Sequence, residues 1–527
     1  MKRQYDIAVI GSGFAGSLMA MIARRLGRSV VLIDKGSHPR VVIGESSTPL
    51  TNLLIEELAT RYDLPAVRPL AKWGSWQNTY PDVGCGLKRG FTFYHHDLIR
   101  PEPIPSRASQ LLVAASPNNR IADTHWYRAD FDHLLVRQAE ELGVDYFDQT
   151  RLETVTQSSN GLALDGSRHA NRFSLSARFV IDASGPRGFL HHALRIPETK
   201  LPGYPATQAL YSHFSGVGRL EDISFGANRE QPPYPIDDAA VHHIFDGGWI
   251  WVLRFNNGIT SAGVAATDQV ASSLKFSEGA AAWRRLIQAI PPLEEQFATA
   301  QTERPFTHIT RLSFRSQKIS GDNWALLPSA AGFVDPLLST GFPLALLGVT
   351  RLAEIIENHW DSDCFPDRLA TYADHTQDEL LATARLIAAL YGSMNDFPVF
   401  STVSLLYFAA ASFSETVRRL GKPHLAKSFL LHDHPVFGAA LRKLLGRAHL
   451  PRTTGDSDNL MGDIVRSIGP FNVAGLGDPS RNNWYPVDPE DLFRSAAKLE
   501  AHREEIAKLL ERCGFELATS EHGPAYY

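Results

Sequence analysis

The chain has 527 residues, with 52 Lys or Arg against 57 Asp or Glu and a net charge of −5. That near balance excludes a nucleic-acid binder or a protein held by charge on an anionic membrane. The length is enough for one very large core or two to three domains. Cys85, Cys364 and Cys513 are few, odd in number and far apart, which suits a reducing compartment and argues against a disulfide framework or a zinc cluster.

The first predicted strand is Tyr5-Asp6-Ile7-Ala8-Val9-Ile10, a short apolar run of the kind buried in a parallel sheet. Because it begins by residue 5, no export leader is expected and a cytoplasmic location follows. Gly11, Gly13 and Gly16 come next with G-x-G-x-x-G spacing. In that pattern the first glycine makes the tight turn, the second lets backbone amides approach a pyrophosphate, and the third lets the following helix pack closely. The helix is expected from Phe14 to about Leu26, with its positive end at the phosphates. Val30-Val31-Leu32-Ile33 reads as the second strand, and Asp34 at its end stands where a carboxylate accepts from a ribose hydroxyl.

Further along, Arg128 opens an amphipathic helix that ends near Gly143, followed by a strand at Val144-Asp145-Tyr146-Phe147. Arg178 to Asp182 is a strand ending in the small-residue turn Ala183-Ser184-Gly185, which continues the α/β alternation. Between these units, and from about Leu201 to Ser313, the text is aromatic and punctuated by Pro and Gly, as in a mostly antiparallel β layer. Within it Trp249 and Trp251 alternate onto one face of a strand, where they line a pocket or fill a core. Ala330-Ala331-Gly332-Phe333-Val334-Asp335-Pro336-Leu337-Leu338-Ser339-Thr340-Gly341 is a second Gly-rich turn with a buried-looking carboxylate. Beyond Gly341 helical periodicity dominates. Val399 to Phe413 is shorter than a membrane span and reads as a buried helix or a tunnel wall. A last helix is expected from the Asp488 cap, with Pro489 at its first position, to Gly514. His95-His96, His242-His243 and His432-Asp433-His434 lack the spacing of a metal site, so no metal is expected.

These segments together predict an α/β fold: a doubly wound Rossmann-like FAD domain with an inserted antiparallel layer and a helical C-terminal region. The FAD domain would occupy 1–360, in pieces at about 1–60, 120–190 and 310–360; the β layer would occupy about 61–119 and 191–309; the helical region would be 361–527.

The order of motifs resembles the flavin-dependent halogenases, within the FAD-dependent hydroxylase-like flavoproteins. The resemblance lies in Gly11 to Gly16, Gly44-Glu45-Ser46-Ser47-Thr48-Pro49, Arg128 to Leu135, Val180 to Gly185 and Ala330 to Gly341. It implies FAD held by Gly11, Gly13, Phe14, Ala15, Gly16, Asp34, Lys35, Glu45, Ser46, Arg128, Asp182, Ala183, Ser329, Asp335 and Gly341. It implies a halide on the backbone amides of Thr340 and Gly341, an anion nest at a helix start. In that family reduced flavin, oxygen and halide yield hypohalous acid, which a lysine relays through a tunnel to an electron-rich aromatic. Lys72-Trp73-Gly74 resembles the family's K-x-G pattern, so Lys72 is expected as the relay, with Lys88 as its rival. Glu45 either holds its loop at the flavin or caps the helix at Thr48-Pro49.

Two positions depart from the family pattern. Pro328-Ser329 stands where Gly-Asp is usual, leaving Ser329 one hydrogen bond to a ribityl chain without charge. The W-x-W-x-I-P box keeps Trp249 and Trp251 and ends in Leu253-Arg254. No second strand–GxGxxG–helix unit is visible, so reduced flavin is expected from a partner reductase or from transient NAD(P)H. The substrate would be a small aromatic, free or carrier-bound. A hydroxylating monooxygenase or a dehydrogenase on the same fold is the alternative enzyme, and a flavin-binding protein without turnover the alternative outside enzymes.

Overall fold

The computed structural model describes residues 3–101, 106–158, 161–223, 231–450 and 452–515. The apolar run Ile7-Ala8-Val9 and the strand Val30–Ile33 are buried throughout in the larger hydrophobic core, against the helix Phe14–Arg25. Parallel pairing gives the order Trp324–Leu326, Asn171–Asp182, Arg3–Ile10, Val30–Ile33, Asp145–Phe147. Two antiparallel additions extend this sheet: the short strand Ser320–Gly321, and the hairpin Thr150–Ser158 with Gly161–Arg168. The helices Phe14–Arg25 and Arg128–Glu141 pack together on this sheet, within one residue or two of their expected bounds.

The second sheet is the inserted layer. Its nine strands run in the order Gln301–Thr302, Thr207–Ser215, Thr260–Thr267, Gly248–Arg254, Ala240–Phe245, Gly90–His95, Gln110–Ala114, Trp484–Tyr485, with Thr307–Ile309 also on Thr207–Ser215. Pairing is antiparallel except where Ala240–Phe245 meets Gly90–His95 and where Trp484–Tyr485 meets Gln110–Ala114. Alternation divides the faces. Phe91, Phe93, Trp249 and Trp251 join the core shared with the first sheet, while Tyr94, Ile250 and Val252 join a second core with Trp283 and Phe297. A separate antiparallel pair, Cys85–Lys88 with Asp123–Trp126, brackets the strands Gly90–His95 and Gln110–Ala114 in the chain.

The C-terminal region is helical apart from Trp484–Tyr485. Val399 to Phe413 falls inside the helix Phe397–Arg419, whose Phe400 and Phe408 rings meet Phe93 edge-on. Leu337–His359 and Phe397–Arg419 are long and apolar enough to cross a membrane, and their most apolar windows are 72% and 78% buried in the protein. The single helix expected from Asp488 to Gly514 is three pieces: Pro489–Arg494, Ala496–Leu499 and Arg503–Arg512. Asp488 does cap the first, and Glu500 in a left-handed conformation breaks the run before a new cap at His502.

Adjacent histidines on strands face opposite ways, as the pleat requires. His242 lines a cavity, whereas His243 turns away and sits 2.9 Å from the Nε2 of His96. Among the described residues no group of three His, Cys, Asp or Glu is arranged to hold a metal. Burial pushes His96 down to about 3, so it stays neutral in the folded chain while an unfolded histidine protonates near 6.5. Its contribution to stability is therefore full above pH 6.5 and is lost as pH falls toward 3. Replacing His96→Gln is expected to reduce the slope of unfolding free energy against pH, between pH 6 and 4, by about 1.4 kcal/mol per unit. An unchanged slope in urea titrations across that range would contradict this.

Candidate functional site

One cavity of about 1250 Å³ runs between the two sheets. Ordinary small-molecule sites span roughly 300–1,000 Å³, so this one has room for a dinucleotide and a second molecule.

Its first wall is the glycine turn. Gly11 has φ +99°, and a Cβ there would lie 2.5 Å from the Ala183 carbonyl; a Cβ on Gly16 would lie 1.9 Å from the Gly11 carbonyl. Only glycines allow this crossing of backbone. Gly13 sits at the start of the Phe14–Arg25 helix with no side-chain cap, which leaves first-turn amides directed at the cavity. Asp34 accepts from the Ser12 amide and hydroxyl, each at 2.8 Å, from Arg40 at 2.7 Å and from the Gly36 amide at 2.9 Å. It lines the cavity together with Lys35 and Arg40.

Most of the other expected cofactor residues meet here. Phe14, Ala15, Glu45, Ser46, Arg128 and Ala183 line the same space. So do Ser329, Asp335, Thr340 and Gly341 from more than 300 residues along the chain. Gly16 and Asp182 stand behind the wall. Asp182 accepts from the Ser184 amide and hydroxyl and the Leu190 amide, and so fixes the turn that carries Ala183. Arg128 grips Asp132 with two bonds of 2.8 and 2.7 Å and gives a third, 2.8 Å, to the Gly44 carbonyl. That third bond anchors the Gly44-Glu45-Ser46 loop. Thr48, not Glu45, caps the helix Pro49–Arg61. Glu45 instead accepts from His213 at 2.7 Å, and its second oxygen, buried, has no partner within the protein. A buried carboxylate oxygen without a donor is costly, so this atom suits a bound molecule that brings an N–H or O–H.

The second wall is organised by Asp335. Its carboxylate accepts from Tyr204 (2.8 Å), Tyr391 (3.0 Å), Trp249 (3.2 Å) and the Leu337 amide (3.0 Å). Burial raises it to about 6 against the opposing pull of those donors. The bond to Trp249 joins the strand Gly248–Arg254 to the turn leading to Gly341. In that turn Leu338 and Ser339 have φ 63° and 54°, a left-handed pair that non-glycine residues adopt only under constraint. The helix Gly341–His359 then begins with first-turn amides that lack intrahelical partners. Phe342 stacks on Trp126 at 4.2 Å and meets Phe14 at 4.9 Å, which ties this helix to the dinucleotide helix and to the hairpin. Trp249 and Trp251 line the cavity with Tyr211, Leu253 and His242.

The lysines differ sharply. Lys72 pairs with Glu56 at 3.1 Å, keeps 31% of its side chain exposed, and is not among the residues lining the cavity. It precedes a short helix, Trp73–Thr79. Lys88 is fully buried. Its ammonium donates to the Ser46 hydroxyl at 2.9 Å and the Ser47 carbonyl at 2.5 Å, and lies 3.7 Å from the Phe91 ring centre. Ser46 lines the cavity, so Lys88 stands directly behind that wall. Lys88-Arg89-Gly90 has the same K-x-G spacing as Lys72-Trp73-Gly74, so the short pattern alone does not distinguish them. Tyr204, His213, His242 and Tyr391 also belong to the site, and nothing in the local sequence marks them.

A family model described as tryptophan halogenase matches residues 121–396. The chain belongs to the tryptophan halogenase family. A second model, the NAD(P)-binding Rossmann-like domain, matches residues 9–49, which hold the glycine turn, the helix Phe14–Arg25 and the strand Val30–Ile33. As a family member the chain is a FAD-dependent oxidoreductase of the halogenase type. It is 27% identical over 78% of its length to the tetracycline 7-halogenase of Kitasatospora aureofaciens, covering 74% of that protein. It is 29% identical over 77% of its length to the monodechloroaminopyrrolnitrin halogenase PrnC of Pseudomonas fluorescens, covering 71% of it. The fold of halogenase PltM, solved with phloroglucinol and FAD, superposes with a TM-score of 0.80 at 22% identity, covering 91% of this chain and 99% of that one.

In this halogenase Asp335→Asn leaves one former acceptor position presenting an N–H to the tyrosine and indole donors. It is expected to cost about 1–3 kcal/mol in urea unfolding, and Tyr391→Phe about 1 kcal/mol. No loss for Asp335→Asn would show that the carboxylate does not brace the turn.

Proposed function

We propose that this chain halogenates a small electron-rich aromatic, a phenol or a pyrrole, with the halide held at Thr340 and Gly341 and with Lys88, not Lys72, as the relay. The observation that supports it best is the meeting, in one cavity, of a dinucleotide cradle, a helix start after a constrained turn, a tryptophan-lined wall, and a facing loop whose Ser46 is held from behind by a buried lysine. Reduced FAD, when bound, supplies hypohalous acid from oxygen and halide.

The chain's own residues do the rest. Gly11 and Gly13 with the helix start receive the diphosphate, and Asp34 with Lys35 and Arg40 frames the ribose end. The unpartnered oxygen of Glu45 fits a ribityl hydroxyl or ring N–H. Ser329 keeps a hydroxyl where the family has a carboxylate. The first-turn amides at Gly341 favour an anion. Trp249 and Trp251 exclude water and offer flat faces to an arene. Lys88 donates an N–H to the oxygen of the oxidant and hands the halogen on. Burial pushes its ammonium toward deprotonation, which brings a lysine into the range useful for proton donation near neutrality. With one dinucleotide fingerprint in the chain, a separate reductase supplies the reduced flavin.

Relatives include proteins named for tetracycline and for pyrrole on a peptidyl-carrier protein. The assay therefore offers both a free phenol and a carrier-tethered pyrrole, with FAD, a flavin reductase, NADH, oxygen and bromide. Lys88→Met is expected to lower brominated product at least a hundredfold while flavin reoxidation continues, and Lys72→Ala to leave product within about twofold. Hydroxylated product, or loss of bromination in Lys72→Ala alone, would overturn the reading.

A further inference from the structure

Lys88 has a charged neighbour that the relay reading leaves unused. The hairpin Cys85–Lys88 with Asp123–Trp126 pairs Lys88 directly opposite Asp123. Directly opposed residues of an antiparallel pair project to the same face, with Cβ atoms roughly 4.5–5.5 Å apart. Both side chains are buried, Lys88 at 0% exposure and Asp123 at 5%. One oxygen of Asp123 accepts from the Asn52 amide at 2.8 Å; the other makes no hydrogen bond. A buried carboxylate left half-satisfied beside a buried lysine is expensive unless the two charges need each other.

We infer that Asp123 is the positioning residue of the relay: from across the hairpin its negative charge keeps Lys88 an ammonium inside a site that would otherwise strip its proton. The inference rests on the reading of Lys88 given above. Asp123 is not among the residues lining the cavity, and acts through Lys88.

The groups around the pair fit that assignment. Ser46 and Ser47 hold the Lys88 ammonium as acceptors, and Phe91 offers its ring face. His125 on the Asp123 strand and His242 on the neighbouring sheet are both pushed to about 3 by burial, so they are neutral at working pH and do not compete for the role. On the far side, Asn52 comes from the helix Pro49–Arg61, while Tyr407, Glu415 and Arg419 come from the helix Phe397–Arg419. Glu415 and Arg419 act on Asp123 with opposite signs. Burial lowers Lys88 and raises Asp123, and each is opposed by the charge of the other. As pH rises the ammonium is lost, so halogenation should fall on the alkaline side. Without Asp123 the fall should begin earlier.

The test has two independent readouts. In lysine labelled with 13C at Cε, the Lys88 resonance is assigned by its disappearance in Lys88→Met, and its titration midpoint is followed in wild type, Asp123→Asn and Asp123→Glu. Asp123→Asn is expected to lower the midpoint by at least one pH unit, a tenfold loss of ammonium above it, with Asp123→Glu close to wild type. The alkaline limb of bromination should move by the same amount while flavin reoxidation keeps its own profile. If Asp123→Asn does not fold, Asn52→Leu serves, because loss of the Asn52 bond weakens the Asp123 anion and shifts both readouts the same way by less. An unmoved midpoint overturns the inference. A uniform loss of activity at every pH with no shift of the limb also overturns it. Full bromination by Lys88→Met overturns the relay reading instead, and leaves the midpoint to decide the electrostatics.

Discussion

Asp335 accepts four hydrogen bonds while fully buried, and three of its donors, Tyr204, Trp249 and Tyr391, come from different parts of the chain. Each of those side chains would be costly to leave unpaired in an apolar interior, and so would the carboxylate. The four are therefore mutually obligatory. Their geometry fixes the distance between the Gly248–Arg254 strand and the turn before Gly341, and with it the width of the cavity. The same bracing pays for Leu338 and Ser339 in left-handed conformations, which place the start of the helix Gly341–His359 at the cavity rather than past it.

On the opposite wall a comparable logic holds for the Gly44–Thr48 loop. Arg128 draws its strength from Asp132 and spends one bond on the Gly44 carbonyl; Glu45 is held by His213; Ser46 and Ser47 are held by Lys88. The loop thus connects the dinucleotide cradle to the buried lysine through adjacent residues. Phe342, Trp126 and Phe14 stack where the two walls meet, and aromatic contacts of that kind add about 0.5–1.5 kcal/mol each beyond the area they bury. The cavity is consequently framed on both sides by contacts that do not depend on a bound molecule.

Local chemistry in the sequence was enough for the first sheet and the glycine turn, because G-x-G-x-x-G, a buried strand on either side and Asp34 all express constraints that act within about 30 residues. It was enough, too, for the meeting of Gly11–Gly16 with Ala330–Gly341, through the resemblance of both segments to one family. It failed at Lys72. Two lysines share the same short pattern, and what separates them is burial: Lys88 ends a strand opposite Asp123 in a hairpin whose second strand is some 35 residues away, whereas Lys72 opens a short helix beside Glu56. Long-range pairings of this kind leave no local mark. The same is true of Tyr204, Tyr391 and His213, each defined only by a partner more than 50 residues off. The last helix was misread for a different reason: a break at Glu500 depends on a left-handed residue with no glycine to announce it.

We propose the turn braced by Asp335 as the halide site, between the dinucleotide cradle and the Trp249 strand. Anomalous diffraction from FAD-loaded crystals soaked in bromide measures that most directly. An anomalous peak is expected within hydrogen-bond distance of the Thr340 and Gly341 backbone amides, facing the cavity and absent in Asp335→Ala crystals. A bromide peak confined to surface cations, or one at the turn that persists unchanged without Asp335, would contradict it.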